Sequence, residues 1–137
     1  MTKLILTLAL LPLTACATST MDTPPQFSAR EEKELARVLE NKVSGEPVSC
    51  ISSFKSADLR ALGDNTLVYR ASKDLVYRNT LQGACSGLSR GDTLVMNRTS
   101  ASQYCRGDIA RVVNLMSGAM TGSCALGDFI PYRPPGK

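Results

Sequence analysis

The chain of 137 residues contains no histidine and no tryptophan, and it has only four tyrosines and three phenylalanines. Without histidine, the usual general base near neutral pH is missing, and so are Ser–His and Cys–His nucleophile pairs. A glycine-rich phosphate loop followed by Lys-Ser/Thr is also missing. The scarcity of aromatic side chains argues against a carrier of small ligands. We therefore predict a protein that is not an enzyme and that has no cofactor.

Long apolar runs are missing as well. Residues 4–13 form one apolar run of ten residues after the positive charge of Lys3, whereas a membrane-spanning helix needs about 20. A charged start followed by a short apolar run is typical of a secretory signal peptide. The run ends in Leu13-Thr14-Ala15-Cys16, which resembles the lipobox of bacterial lipoproteins. Residues 1–15 are therefore predicted to be a lipoprotein signal peptide.

In such proteins the cysteine after the cut carries a diacylglycerol thioether and an acylated amine, and several acyl chains make a stable anchor. This predicts lipidation of Cys16 and contact with a membrane. Ala17 follows instead of aspartate, which favours the periplasmic face of the outer membrane over the inner membrane. The alternative is cleavage at the A-x-A pattern Ala15-Cys16-Ala17, which would release a soluble periplasmic or secreted protein beginning at Thr18.

Four cysteines remain after Cys16, and an even number in an exported chain predicts two disulfides. Their spacings of 35, 20 and 19 residues contain no C-x-x-C pair, so neither a zinc site nor a redox pair is expected. Four cysteines allow three connectivities. We predict the nested one, Cys50–Cys124 around Cys85–Cys105, because closing long loops removes most chain entropy.

The first segments of the mature chain are predicted to be a tether and a helix. Residues 16–27 carry the lipidated cysteine and a polar, proline-bearing tether. Residues 28–47 begin with the capping box Ser28-Ala-Arg-Glu31 and predict a helix from Ala29 to Lys42, with a linker after it. Its apolar stripe consists of Leu35, Val38 and Leu39, with Val43 one turn further along.

Residues 48–137 are predicted to form a β-rich, disulfide-bridged domain. Residues 48–54 read as a strand, and LVYR occurs twice, at 67–70 and 75–78. A hairpin explains the repeat if Val68 faces Tyr77 and Tyr69 faces Val76. Short strands separated by glycine turns predict a mainly β fold: a small antiparallel barrel or sandwich, preceded by one N-terminal α-helix.

Arg-Gly-Asp occurs twice, ending at Asp92 and at Asp108, and each copy precedes a strand pattern. The tripeptide invites a comparison with integrin ligands. Gly-Asp is common turn chemistry, however, and both copies are predicted to be turns.

Cysteine-bearing segments over residues 48–132 form a pattern made of Cys50-Ile51, Tyr77-Arg-Asn-Thr-Leu81, Cys85-Ser-Gly-Leu88, Cys105-Arg-Gly-Asp108-Ile109 and Cys124-Ala-Leu-Gly127-Asp-Phe129-Ile-Pro131. The pattern resembles an uncharacterised family of small proteobacterial exported proteins, often lipoproteins, known as a domain of unknown function. The resemblance implies a secreted, cysteine-bridged domain, and it supplies no catalytic residues.

Residues 48–137 hold eleven basic and six acidic side chains, a net charge of +5. Outside the cytoplasm such a domain meets lipopolysaccharide, peptidoglycan or an acidic protein sooner than nucleic acid. Arginine and tyrosine are enriched at binding hot spots. We therefore predict an accessory or binding lipoprotein of the cell envelope, with a binding face formed by Arg70, Arg78, Arg111, Tyr69 and Tyr77. Arg90, Arg98, Arg106 and Tyr104 are further candidates.

A small envelope hydrolase is the alternative function. Glycosidases need two carboxylates about 5–9.5 Å apart, and Asp92 and Asp108 would supply them if they lay on one rim of the domain. The competing interpretation is that both aspartates only bond to the backbone of their turns.

Overall fold

The computed structural model describes residues 27–53, 58–97 and 99–136. The predicted signal peptide, Cys16 and most of the tether lie outside the described residues, as does Arg98. The elements in chain order are helix α1 (Ala29–Val38) and strands β1 (Val43–Ser44), β2 (Cys50–Ser52), β3 (Asp58–Leu62), β4 (Thr66–Ser72), β5 (Leu75–Thr80), β6 (Gln82–Ala84), β7 (Thr93–Asn97), β8 (Gln103–Cys105), β9 (Ile109–Val113), β10 (Met120–Ala125) and β11 (Phe129–Arg133), with a short 3₁₀ turn at Leu88–Arg90.

Two antiparallel sheets pack as a sandwich. One has five strands in the order β1-β11-β5-β4-β3, and the other has four in the order β6-β10-β9-β7. Strands β2 and β8 form a separate two-stranded ribbon. In the part of the chain that is described, the sheets do not close into a barrel. The prediction of a mainly β fold with one N-terminal helix is confirmed, and the sandwich is the correct member of the predicted pair.

The core lies where the two sheets face each other. Leu67 and Tyr69 of β4 and Phe129 of β11 enter it from the five-stranded sheet, while Ala110 and Val112 of β9 enter it from the other. All five are nearly inaccessible to solvent. These residues are buried because side chains alternate along a strand, and only every second one reaches the face that packs on the other sheet.

Helix α1 covers the outer face of the five-stranded sheet. Both halves of the predicted capping box are present: the Ser28 amide donates to Glu31 Oε2 over 2.7 Å, and the Glu31 amide donates to Ser28 Oγ over 3.4 Å. The predicted apolar stripe is confirmed for Leu35, Val38 and Leu39, which pack on a second buried cluster. That cluster is formed with Leu62, Val68, Val76 and Tyr132.

The helix ends earlier than predicted, at Val38 instead of Lys42. Asn41 adopts a left-handed conformation with φ of 57°, and asparagine tolerates this conformation better than most residues. Val43, predicted to extend the apolar stripe, lies in β1 and is 55% exposed. The linker prediction is also wrong here, because Val43 and Ser44 pair with β11. The predicted strand 48–54 is shorter, at Cys50–Ser52.

The repeated LVYR segments form the predicted hairpin, β4 with β5, but the predicted register is wrong. Tyr69 lies opposite Tyr77, and Val68 lies opposite Arg78. An irregularity between Arg70 and Ser72 shifts the pairing, as a β-bulge does by placing one extra residue in one strand. The hairpin therefore stacks tyrosine against tyrosine, with ring centroids 6.2 Å apart.

Both predicted disulfide pairings are wrong. The bridges are Cys50–Cys105 and Cys85–Cys124, so they are interleaved and not nested. Cys50 lies directly opposite Cys105 in the β2–β8 ribbon, with Cα atoms 4.1 Å apart. Cys85 follows β6, which pairs with the strand holding Cys124. Strand neighbours decide the pairing, and the loop-entropy argument contains no information about which strands are neighbours.

Two disulfides are typical of proteins from oxidising compartments outside the cytoplasm. Among the described residues, no helix is long and apolar enough to cross a membrane.

Candidate functional site

The predicted arginine and tyrosine residues of the hairpin lie on opposite faces of the sheet. Tyr69 precedes Arg70 and Tyr77 precedes Arg78, and successive side chains in a strand point to opposite faces. Tyr69 is 2% exposed and its hydroxyl donates to the Ser52 carbonyl oxygen over 2.8 Å. Both tyrosines therefore belong to the core between the sheets. The prediction of a combined arginine and tyrosine face is wrong.

The arginines of the hairpin lie on the outer face, beside helix α1. A groove of about 300 Å³ opens there between the helix and the sheet. We call it the basic groove; its lining residues are Arg37, Val38, Arg60, Val68 and Arg70. Its three guanidinium groups come from α1, β3 and β4, and the two valines form an apolar floor. The volume is at the lower end of the range for small-molecule sites, which suits a compact group.

Arg78 extends this positive surface across the sheet. Val68 pairs with Arg60 on one side and with Arg78 on the other, so the three side chains form one row on the outer face. Arg78 Nε is buried and has no hydrogen-bond partner among the described residues. An unpaired buried donor of a charged group costs free energy. The row therefore presents hydrogen-bonding capacity that the described part of the chain does not use.

Few carboxylates balance these charges. Arg60 pairs with Glu34 of α1, whereas Arg37, Arg70 and Arg78 have no carboxylate partner among the described side chains. Direct cross-strand neighbours are about 5 Å apart, so Arg60 and Arg78 are separated by about 10 Å at their Cβ atoms. At that distance two unit charges repel by roughly 0.4 kcal/mol in water and 1.7 kcal/mol at an effective dielectric of 20. This repulsion is tolerable, and a bound anion would remove it.

The other predicted basic residues lie elsewhere. Arg111 is exposed on β9, on the outer face of the four-stranded sheet, opposite Val95 and Ser123. Arg90 pairs with Asp92 over 3.7 Å, and Arg106 pairs with Asp128 over 3.2 Å. The structure brings Arg70 and Arg78 together and separates Arg111 from them.

The two aspartates of the hydrolase alternative do not share a rim. Asp92 precedes β7 and Asp108 precedes β9, but these strands are antiparallel, and Thr93 lies opposite Val113. The aspartates therefore stand at opposite ends of the strand pair, roughly 20 Å apart along the strands. This is about twice the largest separation in a glycosidase carboxylate pair, about 9.5 Å. The prediction of a shared rim is wrong, and the geometry gives the hydrolase no support.

Each of the two aspartates accepts hydrogen bonds from a different set of residues. Asp108 is 1% exposed and accepts from the Thr99 amide at 3.0 Å, the Thr99 hydroxyl at 2.7 Å and the Cys105 amide at 2.9 Å. Asp92 accepts from Asn114 Nδ2 at 2.8 Å and from the Thr121 hydroxyl at 2.9 Å. Both Arg-Gly-Asp segments are turns, as predicted, but their carboxylates do not bond only to the backbone of those turns. Asp108 also accepts from Thr99, and Asp92 accepts from the side chains of Asn114 and Thr121. Over residues 27–53, 58–97 and 99–136, no three cysteine or acidic side chains cluster as a metal site.

The match to known families covers nearly the whole chain. A family model matches residues 1–127. The chain belongs to the family of unknown function DUF6491. The predicted membership of an uncharacterised family is confirmed, and the match extends beyond the predicted span of 48–132 at its N-terminal side. No curated protein and no solved structure matches the chain significantly.

Two residues of the basic groove in this DUF6491 member were not predicted. Arg37 lies on α1 outside its apolar stripe, and Arg60 lies in β3, a strand that the sequence pattern did not reveal. The sequence signal that could have placed Arg60 in the groove is the alternation of side chains along the strands. Arg60 and Arg70 are the residues that alternation places on the face opposite to Leu59 and Tyr69.

Proposed function

We propose that this protein is a non-enzymatic binding protein of the cell envelope, anchored by lipid at Cys16, which holds an anionic partner in the basic groove. The observation that carries the proposal is the set of guanidinium groups on one outer face, of which only that of Arg60 has a carboxylate partner among the described side chains. Guanidinium forms paired, charge-assisted hydrogen bonds to phosphate and carboxylate groups.

The partner is an envelope component that displays such groups: a phosphorylated lipopolysaccharide, the carboxylates of peptidoglycan or an acidic protein. Each is reachable from a domain tethered to the periplasmic face of the outer membrane. The groove admits one compact anionic group, because it is small and its apolar floor is formed by only Val38 and Val68. A soluble periplasmic form would bind the same groups without the anchor.

The test compares arginine substitutions that change the charge equally in two places. Arg37→Gln and Arg70→Gln each remove one cation from the basic groove, while Arg111→Gln removes one from the outer face of the other sheet. Binding to purified lipopolysaccharide and to peptidoglycan is measured for each variant. We expect the groove variants to bind about tenfold more weakly, as loss of one charge-assisted hydrogen bond predicts. Equal weakening by Arg111→Gln would indicate attraction by net charge only.

A protein partner is tested in intact cells. A photoreactive residue replaces Lys33, which is exposed on α1 beside Arg37, and a control places it at Arg111. One dominant adduct from position 33 that is absent from position 111 supports an envelope protein as the partner. The same adducts from both positions would contradict the basic groove as the binding site.

The anchor has its own test. The intact mass of the mature protein gives either a lipid-modified chain beginning at Cys16 or an unmodified chain beginning at Thr18. The second result would remove the anchor and leave the groove proposal intact.

A further inference from the structure

The turn between β9 and β10 presents large apolar side chains to solvent. Met116 is 96% exposed, Leu115 is 74% exposed and Met120, at the start of β10, is 63% exposed. We call these three residues the apolar tip. Turns are ordinarily built from polar residues and glycine. Single exposed apolar residues are common on protein surfaces. Exposure alone is therefore no evidence of a binding role for the tip, and its conformation and its position must supply that evidence.

The conformation of the tip is fixed by its own hydrogen bonds. Asn114 Oδ1 accepts from the Met116 amide at 3.1 Å, from the Ser117 amide at 3.0 Å and from the Ser117 hydroxyl at 3.2 Å. The Asn114 amide also donates to the Ala119 carbonyl oxygen over 2.9 Å, which closes the turn. A turn held in this way loses little conformational entropy when it binds.

A second layer of contacts supports the turn. Asn114 Nδ2 donates to Asp92 Oδ1 over 2.8 Å, and the Thr121 hydroxyl donates to Asp92 Oδ2 over 2.9 Å. Asp92 thus ties the base of the apolar tip to the segment that follows the 3₁₀ turn Leu88–Arg90.

The same segment lies beside the start of the described domain. Phe27 and Ser28 line a groove of about 340 Å³ together with Asp64 and Ser89. The Ser89 amide donates to Asp64 Oδ1 over 2.8 Å. Because Ser89 is three residues before Asp92, the entry of the chain into the domain and the apolar tip are at the same end of the sandwich.

The chain between Cys16 and Phe27 has ten residues. Ten residues span at most about 35 Å, whatever their conformation. A lipid on Cys16 would therefore keep this end of the sandwich near the bilayer. Arg90 lies at the same end; it pairs with Asp92 over 3.7 Å, and its side chain is 65% exposed, so its guanidinium can also reach anionic lipid headgroups.

We propose that the apolar tip is a membrane-contact element, and that Leu115 and Met116 enter the boundary between headgroups and acyl chains of the bilayer that holds the Cys16 anchor. Apolar groups at such boundaries are buried by about 5–10 Å. The proposal rests on the anchor proposed above. It goes beyond binding in the basic groove, because it fixes which end of the domain faces the membrane and leaves the groove accessible from the side.

The absence of tryptophan and histidine from the chain makes a clean experiment possible. Met116→Trp places the only tryptophan of the chain at the apolar tip, where it can be excited separately from the four tyrosines. Val43→Trp is the matched control: Val43 is 55% exposed and pairs with Arg133, at the opposite end of the five-stranded sheet from Asp64. Residues 17–137 carry an N-terminal hexahistidine tag in place of the lipidated cysteine. They are bound to vesicles of phosphatidylethanolamine, phosphatidylglycerol and a nickel-chelating lipid, with brominated acyl chains as quenchers.

We expect vesicle binding to shift the emission of M116W to the blue and to remove most of its fluorescence, while V43W remains unchanged. A double variant, Leu115→Ser with Met116→Ser, is compared with Val43→Ser on vesicles that lack the chelating lipid. We expect the amount of protein retained on these vesicles to fall for the double variant only. Equal quenching of M116W and V43W in vesicle-bound protein would overturn the proposal. So would a protein adduct from a photoreactive residue at Leu115 in cells, since the tip would then be a protein contact. Because the tag replaces the lipid, the vesicle experiment tests the apolar tip alone. The intact mass of the mature protein tests the Cys16 anchor separately.

Discussion

The two Arg-Gly-Asp turns have the same tripeptide and the same left-handed glycine, yet their carboxylates stabilise different parts of the fold. Gly91 and Gly107 have φ values of 90° and 88°, and each turn leads into a strand of the same sheet. Asp108 is buried and joins the Cys105 amide of its own turn to Thr99 in the β7–β8 connection, while Asp92 supports the base of the apolar tip. The comparison shows that a turn motif determines the backbone path, and that the neighbours determine what its carboxylate stabilises.

The largest expected effect separates the two carboxylates. Asp108→Ala removes the acceptor of three hydrogen bonds, two of them from backbone amides. We expect the free energy of unfolding to fall by about 2–4 kcal/mol, because a lost charged acceptor leaves buried donors unpaired. Urea denaturation measures it, and Asp108→Asn, which keeps one carbonyl acceptor, should cost less. A smaller loss than that from Asp92→Ala would reverse the comparison.

The next effect concerns the apolar tip. Asp92→Ala removes the acceptor of the Asn114 and Thr121 side chains, and we expect a loss of about 1–2 kcal/mol. Hydrogen exchange should also become faster at the Met116 and Ser117 amides, since Asn114 loses its support. Asp108→Ala serves as the control, because it should leave these two amides protected relative to global unfolding. Unchanged exchange in Asp92→Ala would show that Asn114 holds the turn alone.

Replacing Gly91 or Gly107 by alanine, in contrast to replacing the two aspartates, should lower the free energy of unfolding by the same amount. A methyl group at Gly91 or Gly107 would meet nothing within 4 Å, so only the left-handed backbone opposes it. Each alanine substitution should cost about 1–2 kcal/mol, and thermal denaturation should give the two values within about 0.5 kcal/mol of each other. A clear inequality would mean that one turn changes its path to accept alanine.

The smallest effect belongs to the arginines. The Arg90 and Arg106 side chains are 65% and 56% exposed. Arg90 pairs with Asp92, whose side chain is 8% exposed, over 3.7 Å, and Arg106 pairs with Asp128, which is 40% exposed, over 3.2 Å. Exposed ion pairs contribute about 0–1 kcal/mol and are screened by salt. Arg90→Ala and Arg106→Ala should therefore change stability by less than about 0.5 kcal/mol. A larger loss that persists in high salt would reveal packing by the arginine stem.

Local patterns of the sequence were sufficient for the helix start, the hairpin and both Arg-Gly-Asp turns, because these depend on residues a few positions apart. The helix end was missed, since it depends on Asn41 adopting a left-handed conformation. The disulfide pairing and the separation of Asp92 from Asp108 were missed for another reason. Both depend on which strands are neighbours and in which direction they run, and that is decided by long-range packing.

The residues of the candidate site also divide into those that local sequence patterns reveal and those that only long-range packing reveals. Arg70 and Arg78 were found because they lie in strongly patterned strands, but the prediction wrongly placed them on one face with Tyr69 and Tyr77. Alternation in those strands separates them. Arg60 lies in β3, which pairs directly with β4, and alternation along these strands could have placed it on one face with Arg70. Arg37 comes from α1, and only the packing of the helix on the sheet brings it to the groove.

The interleaved disulfides would have a consequence for how the protein matures if it is exported as proposed. Cys50 and Cys85 emerge first from a chain that is translocated from its N-terminus, and an oxidant that joins them makes a bond absent from the folded protein. Thiol–disulfide exchange must then rearrange it. Cys85 and Cys124 are almost fully buried, whereas Cys50 is exposed. The buried bridge must therefore form before the core closes over it, and if Cys50 and Cys85 are joined first, we expect correct pairing to need a disulfide isomerase.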